Sequence, residues 1–156
     1  MNKFATEQWP MFAGTHKMRD GMLDTLTDSD LAFSPGGSNM TLGALCKEMG
    51  EVEHSYLESI KNLKQDWSYR NPEAGLDRSV SRLKAWMQAL DAEMADVVAG
   101  LGDDDLKKTI ERGFPVAIET QLQIYLQALL IFFGKASVFL KAMDKPLTKE
   151  LRDWIW

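Results

Sequence analysis

The chain has 156 residues, of which 45% are hydrophobic and 26% are charged. This length and balance predict one globular domain over residues 1–156 and exclude a disordered chain. The formal net charge is −5 at pH 7. An acidic domain repels phosphate backbones, so we expect no nucleic-acid partner.

Cysteine usage and hydropathy indicate where the protein resides. Cys46 is the one cysteine in the chain, so no internal disulfide forms and a cytoplasmic location is expected. The most apolar stretch, residues 124–133, is about half the roughly 20 residues that a membrane span needs. It predicts a buried helix and no membrane partner.

Apolar residues recur at three- and four-residue spacing in four segments, which predicts four amphipathic helices. The first segment runs from about Pro10 to Leu26. The second begins at Thr41, whose side chain suits an N-cap. Its apolar side holds Leu42, Leu45, Met49, Val52, Tyr56 and Ile60. The charged residues of this segment, Glu53 among them, are assigned to its other faces.

The second half of the chain predicts two more long helices with a hairpin between them. The third helix is expected to begin at Asp77 and to stop at Gly100. Short β-branched runs on either side of Gly113 predict a small hairpin or an extended loop. The fourth helix is expected to start at a capping box over residues 120–123 and to run to about Met143. With a short terminal helix from residue 148, the predicted class is an all-α four-helix bundle.

Two segments are similar to the DinB/YfiT superfamily. Residues 33–45, Phe-Ser-Pro-Gly-Gly-Ser-Asn-Met-Thr-Leu-Gly-Ala-Leu, resemble that family's lead into its second helix. Residues 134–146, Gly-Lys-Ala-Ser-Val-Phe-Leu-Lys-Ala-Met-Asp-Lys-Pro, resemble the end of its fourth helix. The resemblance implies a bacterial DinB-like four-helix bundle, usually dimeric. Many members of the family hold zinc or nickel through three histidines, and some are thiol-dependent transferases or isomerases.

The resemblance places the family's three metal-ligand positions on Glu48, Ala128 and Phe132. A catalytic zinc ion typically needs three protein ligands, and of these residues only Glu48 can bind a metal. We therefore predict a degenerate site with no metal, no cofactor and no catalytic residue. The alternative is a rebuilt site in which His16 and Cys46 join Glu48.

Helix 4 predicts both a pocket and an interface. The pocket lining is expected to include Gln121, Tyr125, Ala136 and Phe139 beside the family positions, and to take a small apolar ligand. The same residues also suit plain core, and Glu48 also suits a hydrogen bond to Tyr125 or Gln121. The other faces of this helix predict a homodimer through Leu122, Leu126, Leu129, Leu130 and Phe133, unless residues 151–156 cover them.

The leading hypothesis is a homodimeric small-molecule-binding or structural protein without the family metal. One alternative is a metal- or thiol-dependent transferase or hydrolase that uses a rebuilt site near Glu48. Another is an interaction module that uses the C-terminal tryptophans, Trp154 and Trp156, which requires both side chains to be exposed.

Overall fold

The computed structural model describes residues 2–155. Its helices are α1 (Lys3–Glu7), α2 (Trp9–Leu23), α3 (Leu42–Asn62), α4 (Val80–Gly100), α5 (Ile118–Ala142) and α6 (Lys149–Ile155). A hairpin of β1 (Thr109–Glu111) and β2 (Pro115–Ala117) precedes α5. Helices α2, α3, α4 and α5 form a four-helix bundle in which α3 and α2 each pack against both α4 and α5. The predicted all-α class is confirmed.

Helix α3 contributes to both of the sites described below. It begins where predicted, since the Thr41 hydroxyl accepts a hydrogen bond from the backbone N–H of Ala44 at 3.2 Å. It ends at Leu63, whose φ of 55° is in the left-handed region. The following loop is tied to the hairpin, because the Gln65 N–H donates to the Glu111 carbonyl at 2.8 Å.

Two glycines allow α3 to approach its neighbours closely. A Cβ added at Gly50 would lie 2.4 Å from the Trp86 ring of α4. A Cβ added at Gly43 would lie 1.9 Å from the backbone oxygen of Asp77. Both positions therefore need a residue without a side chain if the packing is to be kept.

Three predicted helix starts and ends are wrong. Helix α4 begins at Val80 and not at Asp77, because the Val80 N–H donates to the Asp28 carboxylate from a distant turn at 2.8 Å. Helix α2 covers Trp9–Leu23, so the predicted end at Leu26 is too late. Helix α5 begins at Ile118, directly after β2, and the predicted capping box is absent because Thr120 lies inside the first turn.

The hairpin is confirmed, with Ile110 opposite Val116 in an antiparallel pair. It leads into α5, which is the longest helix and runs through the core. By length and composition α5 is apolar enough to cross a membrane, but half of its most apolar window is buried inside the protein. This burial is that of a core helix in a bundle. The terminal helix α6 packs against α2 and buries Leu151.

Candidate functional site: a recess and a buried charged cluster

A small recess between α3 and α5 brings together the three positions at which the resemblance places metal ligands. Glu48 lies on α3, and Ala128 and Phe132 lie one turn apart on α5. The volume of the recess is about 150 Å³. The other residues that line it are mostly apolar: Leu45, Met49, Val52, Ile131 and Lys135. We call it the α3–α5 recess.

Among the residues that the structure describes, Glu48 provides the one carboxylate that lines the α3–α5 recess. Its side-chain Oε2 atom is buried and has no hydrogen-bond partner. Tyr125 and Gln121, the two partners considered from the sequence, bond instead to His16 and Ser59. A buried acceptor without a donor has lost hydration without compensation, so this oxygen favours a ligand that donates a hydrogen bond.

A second recess adjoins the first along α3. Glu48 and Val52 belong to the lining of both, and the second recess extends to Trp67 and Arg70 in the loop after α3. Its volume is about 360 Å³. The indole of Trp67 is 45% exposed. The two recesses therefore give α3 an outer groove with an apolar end at α5 and a polar end at the loop.

The remaining predicted pocket residues of α5 lie outside the α3–α5 recess. Gln121, Tyr125, Ala136 and Phe139 are all buried. The Phe139 ring packs edge-on against Phe33, with centroids 6.4 Å apart. The Gln121 amide bonds to Arg112 and Ser59, each at 2.8 Å, and also to Gln65. The α3–α5 recess thus includes fewer α5 residues than the predicted pocket.

A group of charged side chains lies in the centre of the bundle, and the sequence analysis missed it. The Arg19 guanidinium of α2 is fully buried and bridges two carboxylates. It donates to Glu53 Oε2 of α3 at 2.9 Å and to Asp91 Oδ2 of α4 at 2.6 Å. With His16 and Tyr125, these residues form what we call the core cluster. The assignment of Glu53 to an outer face is wrong, since its side chain is 0% exposed.

Both ring nitrogens of His16 face members of the core cluster. The Nε2 atom lies 2.8 Å from the Tyr125 hydroxyl of α5 and 3.9 Å from Glu53 Oε1. The Nδ1 atom lies 3.1 Å from Asp91 Oδ1. Each of the four bundle helices thus contributes at least one member of the cluster.

Several polar atoms of the core cluster have no hydrogen-bond partner. They are Glu53 Oε1, Asp91 Oδ1 and Arg19 Nε, together with Oδ1 of the adjacent Asp20. Asp20 Oδ1 lies 3.7 Å from the Arg19 guanidinium. Arg19 therefore holds one oxygen of Glu53 and one of Asp91. The other oxygen of each carboxylate is turned towards His16, at 3.9 Å for Glu53 and 3.1 Å for Asp91.

Burial changes the pKa of most groups in the core cluster. Burial, and then the charge of Arg19, lower the pKa of His16 to about 3. Burial raises the pKa of Glu53 to about 8 against the opposing effect of Arg19. Burial likewise raises the pKa of Asp91, and it raises that of Tyr125 well above its ordinary value. His16 is neutral at physiological pH and keeps a lone pair for a donor or a metal ion.

The charged members of the core cluster occupy positions in the apolar stripes. Glu53 follows Met49 by four residues and precedes Tyr56 by three, and Asp91 lies between Met87 and Met94 in the same way. A charged residue at such a position is predicted to be buried with a partner. The sequence therefore contained the signal, but nothing in one segment identifies a partner in another.

The rebuilt site considered from the sequence is not assembled. His16 is engaged by Tyr125 and Asp91 and not by Glu48. Cys46 is fully buried, and burial raises its thiol pKa to about 12, so little thiolate forms at neutral pH. His54, the second histidine, stacks on Tyr69 with ring centroids 3.6 Å apart.

The predicted dimer face needs correction. Four of its five residues are buried in the chain's own core: Leu122, Leu126, Leu129 and Phe133. The fifth, Leu130, is 40% exposed. The large exposed apolar side chains near it on α5 are Ile131 and Val138. A helix of this bundle buries most of its circumference against α2, α3 and the hairpin, which explains the apolar residues on several faces.

The C-terminal tryptophans are described only in part. Trp154 is 60% exposed and lines a groove with Met11 and Met18 of α2. Trp156 lies outside the described residues.

The fold and the recess define an all-α four-helix-bundle protein with a hairpin before its last long helix. The family model of the DinB superfamily matches residues 11–131. Because this match covers more than half of the chain, the protein belongs to the DinB superfamily. It is also similar in structure to a crystallised DinB-like protein from Bacillus subtilis, with a TM-score of 0.67 and 13% identity, over 84% of this chain and 88% of that one. At this identity the similarity shows the fold alone. No curated protein matches the chain.

The residues of the α3–α5 recess do not fit the metal centre that the family resemblance implies. No histidine or cysteine is among the residues that line it. Glu48 supplies one oxygen ligand, and the Phe132 ring occupies a position that would have to supply another. One carboxylate among apolar side chains is not a ligand set for a tightly held transition metal.

Proposed function

We propose that this protein is a small-molecule-binding member of the DinB superfamily whose ligand lies in the α3–α5 recess, without the metal ion that the family resemblance places there. The observation that carries the proposal is the contrast inside the recess between its apolar lining and the unpartnered Oε2 atom of Glu48. Apolar pockets with a small number of placed polar groups are typical small-molecule sites.

The recess favours a ligand with an apolar body and a cationic amine. An apolar cavity of about 150 Å³ admits a benzene-sized molecule. Phe132, Ile131 and Met49 supply apolar contact for that body. A protonated amine beside Glu48 would donate a hydrogen bond to the free oxygen and neutralise its charge. A carboxylate ligand would leave two like charges together.

Binding is supported over catalysis by the residues near Glu48. The buried Cys46 thiol has a raised pKa, and His16 lies in the core cluster, so neither is available as a nucleophile or base in the recess. The docking alternative through the C-terminal tryptophans rests on Trp154 and the groove beside it.

Homodimerisation is a second part of the proposal. Leu130, Ile131 and Val138 leave an exposed apolar strip on α5 that a second copy would cover. Val138 does not line the recess, so Val138→Glu separates the two properties. We expect this variant to be monomeric by light scattering and to keep ligand binding, whereas a wild-type monomer would contradict dimerisation.

Benzylamine is a suitable probe for the recess, with phenylacetate as its matched anionic counterpart. We expect benzylamine to bind with a Kd of roughly 1 mM, since about 4 kcal/mol over its eight non-hydrogen atoms lies within the usual ligand efficiency. Backbone amide signals near Glu48 and Phe132 should shift in NMR titrations. Glu48→Gln should weaken binding about tenfold through loss of the charged hydrogen bond.

Lys135→Gln is the control variant because it changes a lining residue of opposite charge. It should not weaken benzylamine binding, since it removes a positive charge from the lining of the recess. Equal binding of phenylacetate, or benzylamine shifts confined to residues outside the recess, would contradict the proposed function.

A further inference from the structure

We propose that the core cluster is a binding site for a divalent transition-metal ion of the zinc class, held by His16, Glu53 and Asp91. This site is separate from the positions that the family uses, because its residues lie on α2, α3 and α4 and none of them lines the α3–α5 recess. It is also independent of the proposed function, which concerns the outer groove.

The free donor atoms of the core cluster converge. One candidate ligand atom from each of His16, Glu53 and Asp91 lies within 4.8 Å of the other two. The Glu53 side chain is fully buried, yet its Oε1 atom has no hydrogen-bond partner. Asp91 Oδ1 also makes no hydrogen bond, although it lies 3.1 Å from His16 Nδ1. Two unpaired carboxylate oxygens beside an imidazole are a costly arrangement that a bound cation would stabilise.

The contact with Asp91 favours Nδ1 of His16 as the nitrogen ligand. Nδ1 lies 3.1 Å from Asp91 Oδ1, and ligands on one zinc ion stand roughly 3.0 to 3.5 Å apart when zinc–ligand bonds are about 2.0 to 2.2 Å. The other ring nitrogen, Nε2, faces the Tyr125 hydroxyl at 2.8 Å. Glu53 Oε1 lies nearest this second nitrogen, 3.9 Å from Nε2, so the Glu53 carboxylate must swing towards Nδ1 when a metal binds there.

The surrounding residues hold the ligands as outer partners of metal sites do. Arg19 donates to the second oxygen of Glu53 and to the second oxygen of Asp91, so it orients both carboxylates and leaves the first oxygens free. Tyr125 fixes the His16 ring from the opposite side. Hydrogen bonds from such partners set the ligand orientation in metal sites.

The charge of the buried group calls for a dication. Glu53, Asp91 and the adjacent Asp20 carry three negative charges when ionised, and Arg19 carries one positive charge, which leaves −2 with His16 neutral. A divalent ion makes the group neutral. Protons are the competing cations, and the mixed nitrogen and oxygen donor set suits zinc. Asp91 is 17% exposed and offers the path of entry.

The first test uses the wild-type protein, because its two histidines report on two different places. Protein freed of metal by a chelator is titrated with zinc chloride, and the histidine ring nitrogens are followed by NMR. We expect the His16 signals to shift, Nδ1 most, and those of His54, which stacks on Tyr69 outside the core cluster, to stay unchanged. After dialysis about one zinc ion per chain should remain, as in a closed protein site.

Two variants locate the metal. Asp91→Asn removes a ligand charge at the least buried position of the site and should lower zinc affinity at least about tenfold, as loss of orienting groups alone does. Glu48→Gln is the matched control at the family position and should bind zinc like the wild type. Circular dichroism of both variants shows whether the fold is kept.

Failure to retain zinc, or zinc shifts at His54 alone, would overturn the proposal. Loss of zinc in Glu48→Gln with retention in Asp91→Asn would overturn it as well and would also contradict a metal-free recess. If Asp91→Asn does not fold, the wild-type NMR result decides. Loss of benzylamine binding bears on the proposed function alone.

Discussion

Glu48 and Glu53 lie five positions apart on α3, yet they have different surroundings. Glu48 faces an open recess lined mostly by apolar side chains, and its Oε2 atom has no hydrogen-bond partner. Glu53 is enclosed by the other bundle helices and is paired with Arg19 at 2.9 Å. Five residues turn a helix by roughly 140° beyond one full turn. The two carboxylates therefore lie on different faces of α3, and the face decides whether a carboxylate is accessible to solutes or buried in the core.

Removal of Arg19 is expected to have the largest effect on this comparison. Arg19→Met in chelator leaves Glu53 and Asp91 buried without their shared cation and should destabilise the protein by about 3–5 kcal/mol. Lys135→Met beside Glu48 is the control and should change stability by less than about 0.5 kcal/mol. Urea unfolding measures both, and similar losses would show that the two carboxylates do not differ in surroundings.

In the presence of a chelator, the stability of the protein should depend on pH through two members of the core cluster, His16 and Glu53. His16 has a folded pKa of about 3 against an ordinary value of 6.5, so stability is lost as the pH falls from 6.5 towards 3. Glu53 has a folded pKa of about 8 against 4.5, so the folded state binds the extra proton and stability falls as the pH rises from 4.5 to 8. The two windows overlap at about pH 4.5–6.5, where the opposing effects cancel, so Tm should be highest and nearly constant there.

Glu53→Gln tests the upper side of that profile. The amide carries no proton that titrates, so the decline between pH 6.5 and 8 should be much smaller than in the wild type. Asp91, whose pKa is also raised, Asp20, Arg19 and Tyr125 face the same group and remain in place. Thermal unfolding scans in chelator give the result. Parallel declines of the two proteins would mean that Glu53 does not hold the proton.

Phe132→Leu is expected to have a moderate effect, confined to the recess. Phe132 is 3% exposed, so the smaller side chain should cost about 1 kcal/mol and enlarge the recess. Larger amines than benzylamine should then gain affinity, while zinc binding stays unchanged. A loss of zinc affinity in Phe132→Leu as large as that expected for Asp91→Asn would show that the recess and the core cluster are one site.

Glu48→Gln should have the smallest effect on stability. Because Glu48 has no ion-pair partner, replacing it should change the free energy of unfolding by no more than about 0.5 kcal/mol. Ligand binding, and not stability, should respond. A loss above 2 kcal/mol would show that Glu48 has a structural partner after all.

Periodicity predicted the bundle because each long helix buries one stripe, and local patterns such as the Thr41 cap and the hairpin near Gly113 are complete within a few residues. The predicted helix start was wrong where the capping residue is distant in sequence, as at Val80, whose backbone N–H donates to Asp28. The family resemblance named Glu48, Ala128 and Phe132, which the structure brings to one recess.

The core cluster was not predictable in the same way. Its members come from four helices and lie as far apart in sequence as His16 and Tyr125. A single segment shows only that a charged residue falls on an apolar stripe, as at Glu53. The identity of its partner depends on how the helices are arranged, and that is a property of the fold. The predicted lining of the recess was wrong for the same reason. The rotation of α5 relative to α3 decides which α5 residues line the recess, and it places Ile131 there and not Ala136.

The most direct measurement is a crystal structure of the zinc-incubated protein with diffraction data on both sides of the zinc absorption edge. Our account predicts one anomalous peak among His16, Glu53 and Asp91, and none beside Glu48. A peak at Glu48, or no peak in the core cluster of crystals whose protein retained zinc, would contradict it.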